Sequence, residues 1–455
     1  MFGITIKEAA ALCNGSLKNA NGVLENAEIK RVVIDSRKAQ SGDIFAAYKG
    51  DKVDGHNYIA AAFANGASCA LAEYVPDGVN GPVICVNDVQ TALEDIVSAF
   101  RQQIDIPVVG ITGSVGKTTA KEMVSSVLSQ HFNVHKTAGN LNNTIGVPIS
   151  VSEINKEHEA AIIEMGINHF GEMTHLAKVA LPDIMLYTVI GHAHLEFLQD
   201  LVGVLRAKTE VLDYISPDAT VIINGDDPMQ RTINCRQKLF SYGINTDCDV
   251  KAYNIKSSTL HISCNIKYGA RDIEVTIPSF GMHMVYAALE GAAVGFCLGL
   301  SDDEISAGIA SFKNIGRRQA LIDAGFIKVI DDCYNANPDS MKSSIDSLAQ
   351  FDGRRICVLG DMRELGNNSP EMHYDIGKYA IEKGIDYILG SGEYTKETCN
   401  AAGDKGFYFD STAELMEYLK HFIKKNDTVL VKASLGSNFA PVSEFLKGLK
   451  EESIL

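Results

Sequence analysis

Apolar runs punctuated by glycine and polar turns recur along the chain, and the spacing of those runs changes in three places. Over residues 1–102, β-type runs at 31–34 and 43–47 alternate with Gly-containing turns and a helical stretch at 58–65, which predicts a small α/β module. Over 103–315, residues 107–112 read as a buried strand and 117–131 as a helix. Further apolar runs follow at 160–164, 183–190 and 219–223, with a helical pattern at 202–215. Strand and helix in alternation predict a mostly parallel sheet covered on both faces. Residues 250–277 alternate like antiparallel hairpin strands and predict an addition to the edge of that sheet. Over 316–455, strand runs at 327–330, 356–359, 387–389 and 428–431 are joined by helical patterns at 340–351, 371–383, 412–424 and 442–449, the order of a Rossmann-like doubly wound unit. The predicted fold is therefore α/β in three domains, 1–102, 103–315 and 316–455, with no internal repeat or low-complexity tract. A length of 455 residues fits that count.

Composition narrows the class. Hydrophobic residues are 46% and charged residues 22%, enough apolar material for several cores. The formal net charge of −16 repels phosphate backbones and argues against a nucleic-acid partner. The ten cysteines form no CxxC pair or zinc-ligand array, so they are expected to be free thiols of a reducing compartment. Residues 1–17 carry an acidic residue and lack the continuous apolar core of a signal peptide, and no run of about 18 apolar residues indicates a membrane span. The expected location is the cytoplasm.

The strongest local motif is Gly113-Ser114-Val115-Gly116-Lys117-Thr118-Thr119, between a predicted strand and a predicted helix. Glycines let backbone N–H groups curl around phosphate oxygens, and the helix N-terminus adds partial positive charge. Lys117 can reach the β and γ phosphates, and the Thr118 hydroxyl can ligate Mg2+. The full P-loop pattern wants glycine at Ile111, so only the shorter GxxGKT form is present. Alone, that form is also compatible with a structural turn.

Further segments make the sequence specific: Lys136-Thr137-Ala138-Gly139-Asn140-Leu141-Asn142-Asn143-Thr144-Ile145-Gly146-Val147-Pro148, Glu164-Met165-Gly166, Gly171-Glu172-Met173, Ala193-His194-Leu195-Glu196 and Ala207-Lys208-Thr209-Glu210. In the third block come Asp331-Asp332-Cys333-Tyr334-Asn335-Ala336-Asn337-Pro338 and Leu359-Gly360-Asp361-Met362-Arg363-Glu364-Leu365-Gly366, and in the first Asp35-Ser36-Arg37 and Asp54-Gly55-His56. Together, and in this order, they resemble the Mur ligase family, and in particular its branch that adds D-alanyl-D-alanine to UDP-N-acetylmuramoyl-tripeptide in peptidoglycan synthesis.

The resemblance implies a monomeric ATP-dependent amide ligase working through an acyl phosphate. It implies a first domain holding the UDP-substrate, a central one holding ATP, and a third that closes over both and helps bind the dipeptide. By position, Gly113 to Thr119, Arg317, Asp332 and Asn335 would contact the nucleotide. Thr118 and Glu164 would serve one Mg2+, and His194 and Lys208 a second. The matching lysine is often carbamylated in the family, which would turn it into an anionic oxygen donor. Asp35, Ser36 and Arg37 would face the uridine diphosphate, and the amides of Asn140, Asn142 and Asn143 suit a sugar or peptide. Plainer readings stand beside these. Glu164 could cap a turn, His194 could be a satisfied surface histidine, and Lys208 a solvated lysine on a charged helix face. One of Asp331 and Asp332 could cap the next helix, and the asparagines could form a turn.

Two segments depart from the family pattern. Met284 and Ala287 stand where asparagines near the adenine are expected, and Leu435 replaces the arginine of a Lys-Gly-Ser-Arg segment. They leave open a divergent family member with another substrate, folate- or amino-acid-adding, or a nucleotide-binding protein with weakened catalysis. A simple P-loop kinase or GTPase fits poorly, since a guanine-reading NKxD segment is not apparent and two blocks would be unexplained.

Overall fold

Three β-sheets follow one another along the chain in the computed structural model, which describes residues 3–20, 22–50 and 52–449. The first has five strands in the order Ser16–Lys18, Val83–Cys85, Cys69–Ala72, Asp43–Ala46, Arg31–Val33, parallel except where Ser16–Lys18 meets Val83–Cys85. The second has nine. Its seven parallel strands run Val134–Lys136, Ala160–Glu164, Val108–Thr112, Ile184–Tyr187, Thr220–Asn224, Lys238–Gly243, Val250–Ser257. The antiparallel strands Ile262–Tyr268 and Arg271–Ile277 complete its edge, as the alternating pattern predicts. The third has six, with Ala320–Asp323 antiparallel at one edge and the rest parallel.

Strands buried on both faces explain the continuous apolar runs: every residue of Val108–Thr112 and of Ala160–Glu164 is buried. Helix starts follow local chemistry. Asn337 accepts from Ser340 N at 2.8 Å and Pro338 takes the first helical position, where its missing N–H costs nothing, so Asn337-Pro338 sets the helix Pro338–Leu348. Gly116, at φ +87°, opens the helix Lys117–Leu128.

The cores are not confined to single sheets. One runs from Ile44, Leu71 and Ile84 of the first sheet through Leu93, Ile96 and Phe100 of the helix Val89–Arg101 to Ile163, Met185 and Val221 of the second. Arg101, buried, ties that helix down by donating to the carbonyls of Ala180, Leu181 and Ile104 and to Asp183. The opposite face of the second sheet packs on the helix His283–Cys297. The third sheet has cores on its two faces, and Phe280 of the preceding segment joins one of them. All ten cysteines are free thiols. No helix among the described residues is long and apolar enough to cross a membrane.

Candidate functional site

A cavity of about 800 Å³ opens where the C-terminal ends of the second sheet's parallel strands face the third sheet. This is the edge at which open α/β sheets bind ligands. The turn after strand Val108–Thr112 brings Ser114, Val115, Gly116, Lys117, Thr118 and Thr119 to its wall. Gly113 has no room for a side chain: a Cβ would lie 1.9 Å from Thr188 Oγ1, which donates to Val115 O at 2.6 Å and pins the loop. Lys117 Nζ donates to Gly113 O at 2.7 Å, folding the ammonium back over the loop. Burial lowers its pKa against the attraction of Glu164.

Strand Ala160–Glu164 delivers Glu164 beside this loop, 2% exposed. Its carboxylate accepts from Thr118 Oγ1 at 3.0 Å and from Asn142 Nδ2 at 2.8 Å, and Lys121 Nζ stands 3.5 Å away. Thr118 and Glu164 thus present hard oxygens to one point, the donor type magnesium takes. Among the described residues no three His, Cys, Asp or Glu side chains form a cage. A metal that keeps waters and leans on substrate phosphates does not require one.

His194 lines the same cavity in a left-handed conformation, φ +56°, and its Nδ1 is 2.5 Å from Glu364 Oε2. That leaves Nε2 as the free ring nitrogen. Lys208 is neither on the cavity wall nor solvated: it is fully buried and its Nζ has no hydrogen-bond partner. Burial, reinforced by the Lys117 cation, pushes its amine well below the usual lysine range. An unpartnered buried amine costs stability.

Asn140, Asn142 and Asn143 reach the cavity from the loop after Val134–Lys136. Asn143 Oδ1 also accepts from Gly146 N at 2.8 Å and starts the helix Gly146–Ser152. From the third sheet come Asp332 and Asn335. Asp332 accepts from Lys432 Nζ and from Ser344 Oγ, each at 2.6 Å, while Asp331 turns away to Lys447 at 2.7 Å. Arg317 is off the cavity, bonded to Glu444 at 2.9 Å; its neighbour Arg318 is on the wall. Asp35, Ser36 and Arg37 form a short 3-10 turn outside the cavity, with Asp35 capping it and Arg37 86% exposed on its side chain. Sequence reading did not single out Arg318, Gln319 or Glu290, which also line the cavity.

Several polar contacts join the second and third domains, among them two backbone donors at the rim. His192 N donates to Asp339 Oδ2 at 2.6 Å, and Glu196 N to Glu364 O at 3.2 Å beside the His194 pair.

Comparison with known proteins fits this geometry. Residues 28–108 match the Mur ligase family catalytic domain, 111–295 the Mur ligase middle domain and 316–435 the Mur ligase glutamate ligase domain. The chain is 33% identical to the UDP-N-acetylmuramoyl-tripeptide–D-alanyl-D-alanine ligase of Bacillus subtilis (strain 168), over 100% of each. It belongs to the Mur ligase family. Its fold is also that of solved members: MurF from Acinetobacter baumannii superposes with a TM-score of 0.91 at 31% identity, covering 98% of this chain and 99% of that one. MurF ligase from Thermotoga maritima, solved in complex with ADP, gives 0.82 at 26% identity, covering 94% and 98%. The three-domain α/β architecture expected from the sequence is the Mur ligase architecture.

Proposed function

We propose that this Mur ligase joins D-alanyl-D-alanine to UDP-N-acetylmuramoyl-tripeptide, converting ATP to ADP and phosphate, as a cytoplasmic monomer in peptidoglycan precursor synthesis. The observation that carries the reading is the shared cavity. The phosphate loop, Glu164 and His194 from the second sheet face Asp332, Asn335 and Lys432 from the third, in a chain that aligns end to end with ligases of that name.

A carboxylate is a poor electrophile, so amide formation needs activation. Transfer of the γ-phosphoryl group of ATP to the tripeptide carboxylate makes an acyl phosphate and ADP. The dipeptide amine attacks its carbonyl carbon, and the tetrahedral intermediate collapses with release of phosphate. Two anions must approach one another in the first step. Lys117, folded over the phosphate loop, offsets that repulsion and stabilises charge on the transferring group. Magnesium held by Thr118 and Glu164 would supply Lewis acidity and further charge cancellation, and a second ion at His194 would draw on Lys208, which lies behind the wall, only through the longer reach of a carbamate. Asn140, Asn142 and Asn143 orient the sugar-peptide, Asp35, Ser36 and Arg37 meet the uridine diphosphate outside the cavity, and Asp332 and Asn335 serve the nucleotide, which Arg317 would join only on leaving Glu444. The rim contacts at Asp339 and Glu364 hold the third domain over the cleft, which keeps water from the acyl phosphate.

Purified protein with ATP and magnesium should release phosphate only when both UDP-N-acetylmuramoyl-tripeptide and D-alanyl-D-alanine are supplied. Lys117→Ala should lower that rate roughly 10²-fold to 10³-fold. Stimulation by another amino acid or by folate with glutamate, and not by this pair, would move the chain elsewhere in the family.

A further inference from the structure

The helix His283–Cys297 is apolar almost throughout, yet it carries a glutamate at its middle. Glu290 is 5% exposed and lines the cavity. A glutamate in such a helix costs stability unless its polar atoms are used. One of them is. Glu290 Oε1 lies 2.8 Å from the hydroxyl of Tyr242, whose strand pairs in register with Thr220–Asn224. Glu290 Oε2 has no hydrogen-bond partner among the described residues.

The Tyr242 hydroxyl has one hydrogen and two backbone acceptors in reach, Tyr187 O at 2.8 Å and Thr188 O at 3.0 Å. When that hydrogen goes to a carbonyl, Oε1 must bring its own proton to bond the phenol oxygen, and Oε2 is left as a carbonyl-type acceptor. Burial supports the protonated form, pushing the carboxyl up to about 8. Ionised or not, Oε2 offers lone pairs to the cavity.

The two carboxylates beside it on this wall are already committed, while His283 Nδ1, two turns earlier on the helix, is buried without a partner. Asp226 accepts from the backbone of residues 244–246 and from Tyr286 Oη, and Asp227 from Ile190, Met229 and Gln230. Helical side chains lean toward the helix N-terminus, so Glu290 reaches over the turn that holds Ala287, which is too small to fill that space. Met284 and Ala287 add an apolar surface on which a planar ring can lie. Thr188 links this wall to the phosphate loop through its bond to Val115.

We propose that Glu290 is a specificity-determining residue that selects adenine, its free carboxyl oxygen accepting a hydrogen bond from the 6-amino group of the base. With the carboxyl proton on Oε1, or absent, a 6-oxo purine would set oxygen against oxygen at that point. The inference rests on the reading of this cavity as an ATP site.

The test is equilibrium binding of ATP and of purine riboside triphosphate, which lacks the 6-amino group, measured with magnesium by calorimetry on the wild-type protein, Glu290→Gln and Glu290→Ala. Wild type should favour ATP by roughly tenfold or more, the scale of one hydrogen bond to a buried acceptor. Glu290→Gln, which can donate to Tyr242 and still offer an oxygen, should keep the ratio. Glu290→Ala should bring it close to one, while a merely structural glutamate would alter melting temperature and leave the ratio unchanged. A wild-type ratio near one, or a wild-type ratio retained in Glu290→Ala, overturns the assignment. Failure of wild type to bind either triphosphate would remove the ATP reading itself, and this inference with it.

Discussion

At the scale of single residues, the cavity's surroundings contain ionisable groups whose burial their sequence neighbours would not suggest. Lys208 lies on the helix Leu201–Thr209 with Arg206, just before Glu210, which reads as a solvated charged face, yet packing seals it completely and lowers its pKa well below the usual lysine range. Nothing in the spacing of Ala207-Lys208-Thr209 carries that information, because burial is decided by what docks from elsewhere in the chain. Glu290 is the acidic counterpart, and its effect on stability has a definite sign. The unfolded carboxyl titrates near 4.5 and the folded one near 8, so between those values the folded state holds one more proton. Its contribution to stability therefore falls as pH rises through that window and levels off above it. Urea unfolding of wild type and Glu290→Gln in parallel should show wild type losing ground steadily from pH 5 to pH 8. A constant difference across that range would contradict the assigned protonation.

At the scale of elements, the phosphate loop was legible because its signals are local: an apolar strand, two glycines and a helix start within a dozen residues. The structure shows why both glycines are needed. Gly116 adopts a positive φ, and Gly113 abuts Thr188. Gly113→Ala should cost a few kcal/mol of stability, roughly the scale of overpacking a rigid site, and abolish binding of ATP by calorimetry. Wild-type binding by that variant would mean Thr188 can yield. Other elements were less legible. The helix His283–Cys297 gives no amphipathic period because it is enclosed on nearly every side, and a helix apolar all round carries no stripe to read. Asp331 and Asp332 are adjacent at a strand end, where alternation sends one to the cleft and one to Lys447; sequence alone supplies the alternation but not which face holds the cleft. The cap of the following helix is Asn337, a task the run Asn335-Ala336-Asn337-Pro338 conceals among its ligand-like amides.

At the scale of the molecule, an acidic chain still gathers cations where phosphates would sit: Lys117, Arg318 and Lys432 all reach the cavity despite the net charge of −16. Local geometry outweighs the global field over such distances because dispersed surface charges are screened within about 10 Å. The connections between sheets are uneven. The third sheet meets the second through polar rim contacts around His192 and His194 and a small apolar contribution from Phe280 and Met372. The first and second sheets instead share a continuous apolar interior stitched by the helix Val89–Arg101. That unevenness should be visible as heat. Differential scanning calorimetry of the full chain should resolve two endotherms, the larger belonging to the first two sheets, which cannot come apart without exposing a common interior, and the smaller to the third. Three separable peaks would mean that the interior described here does not make the first two sheets a single cooperative unit.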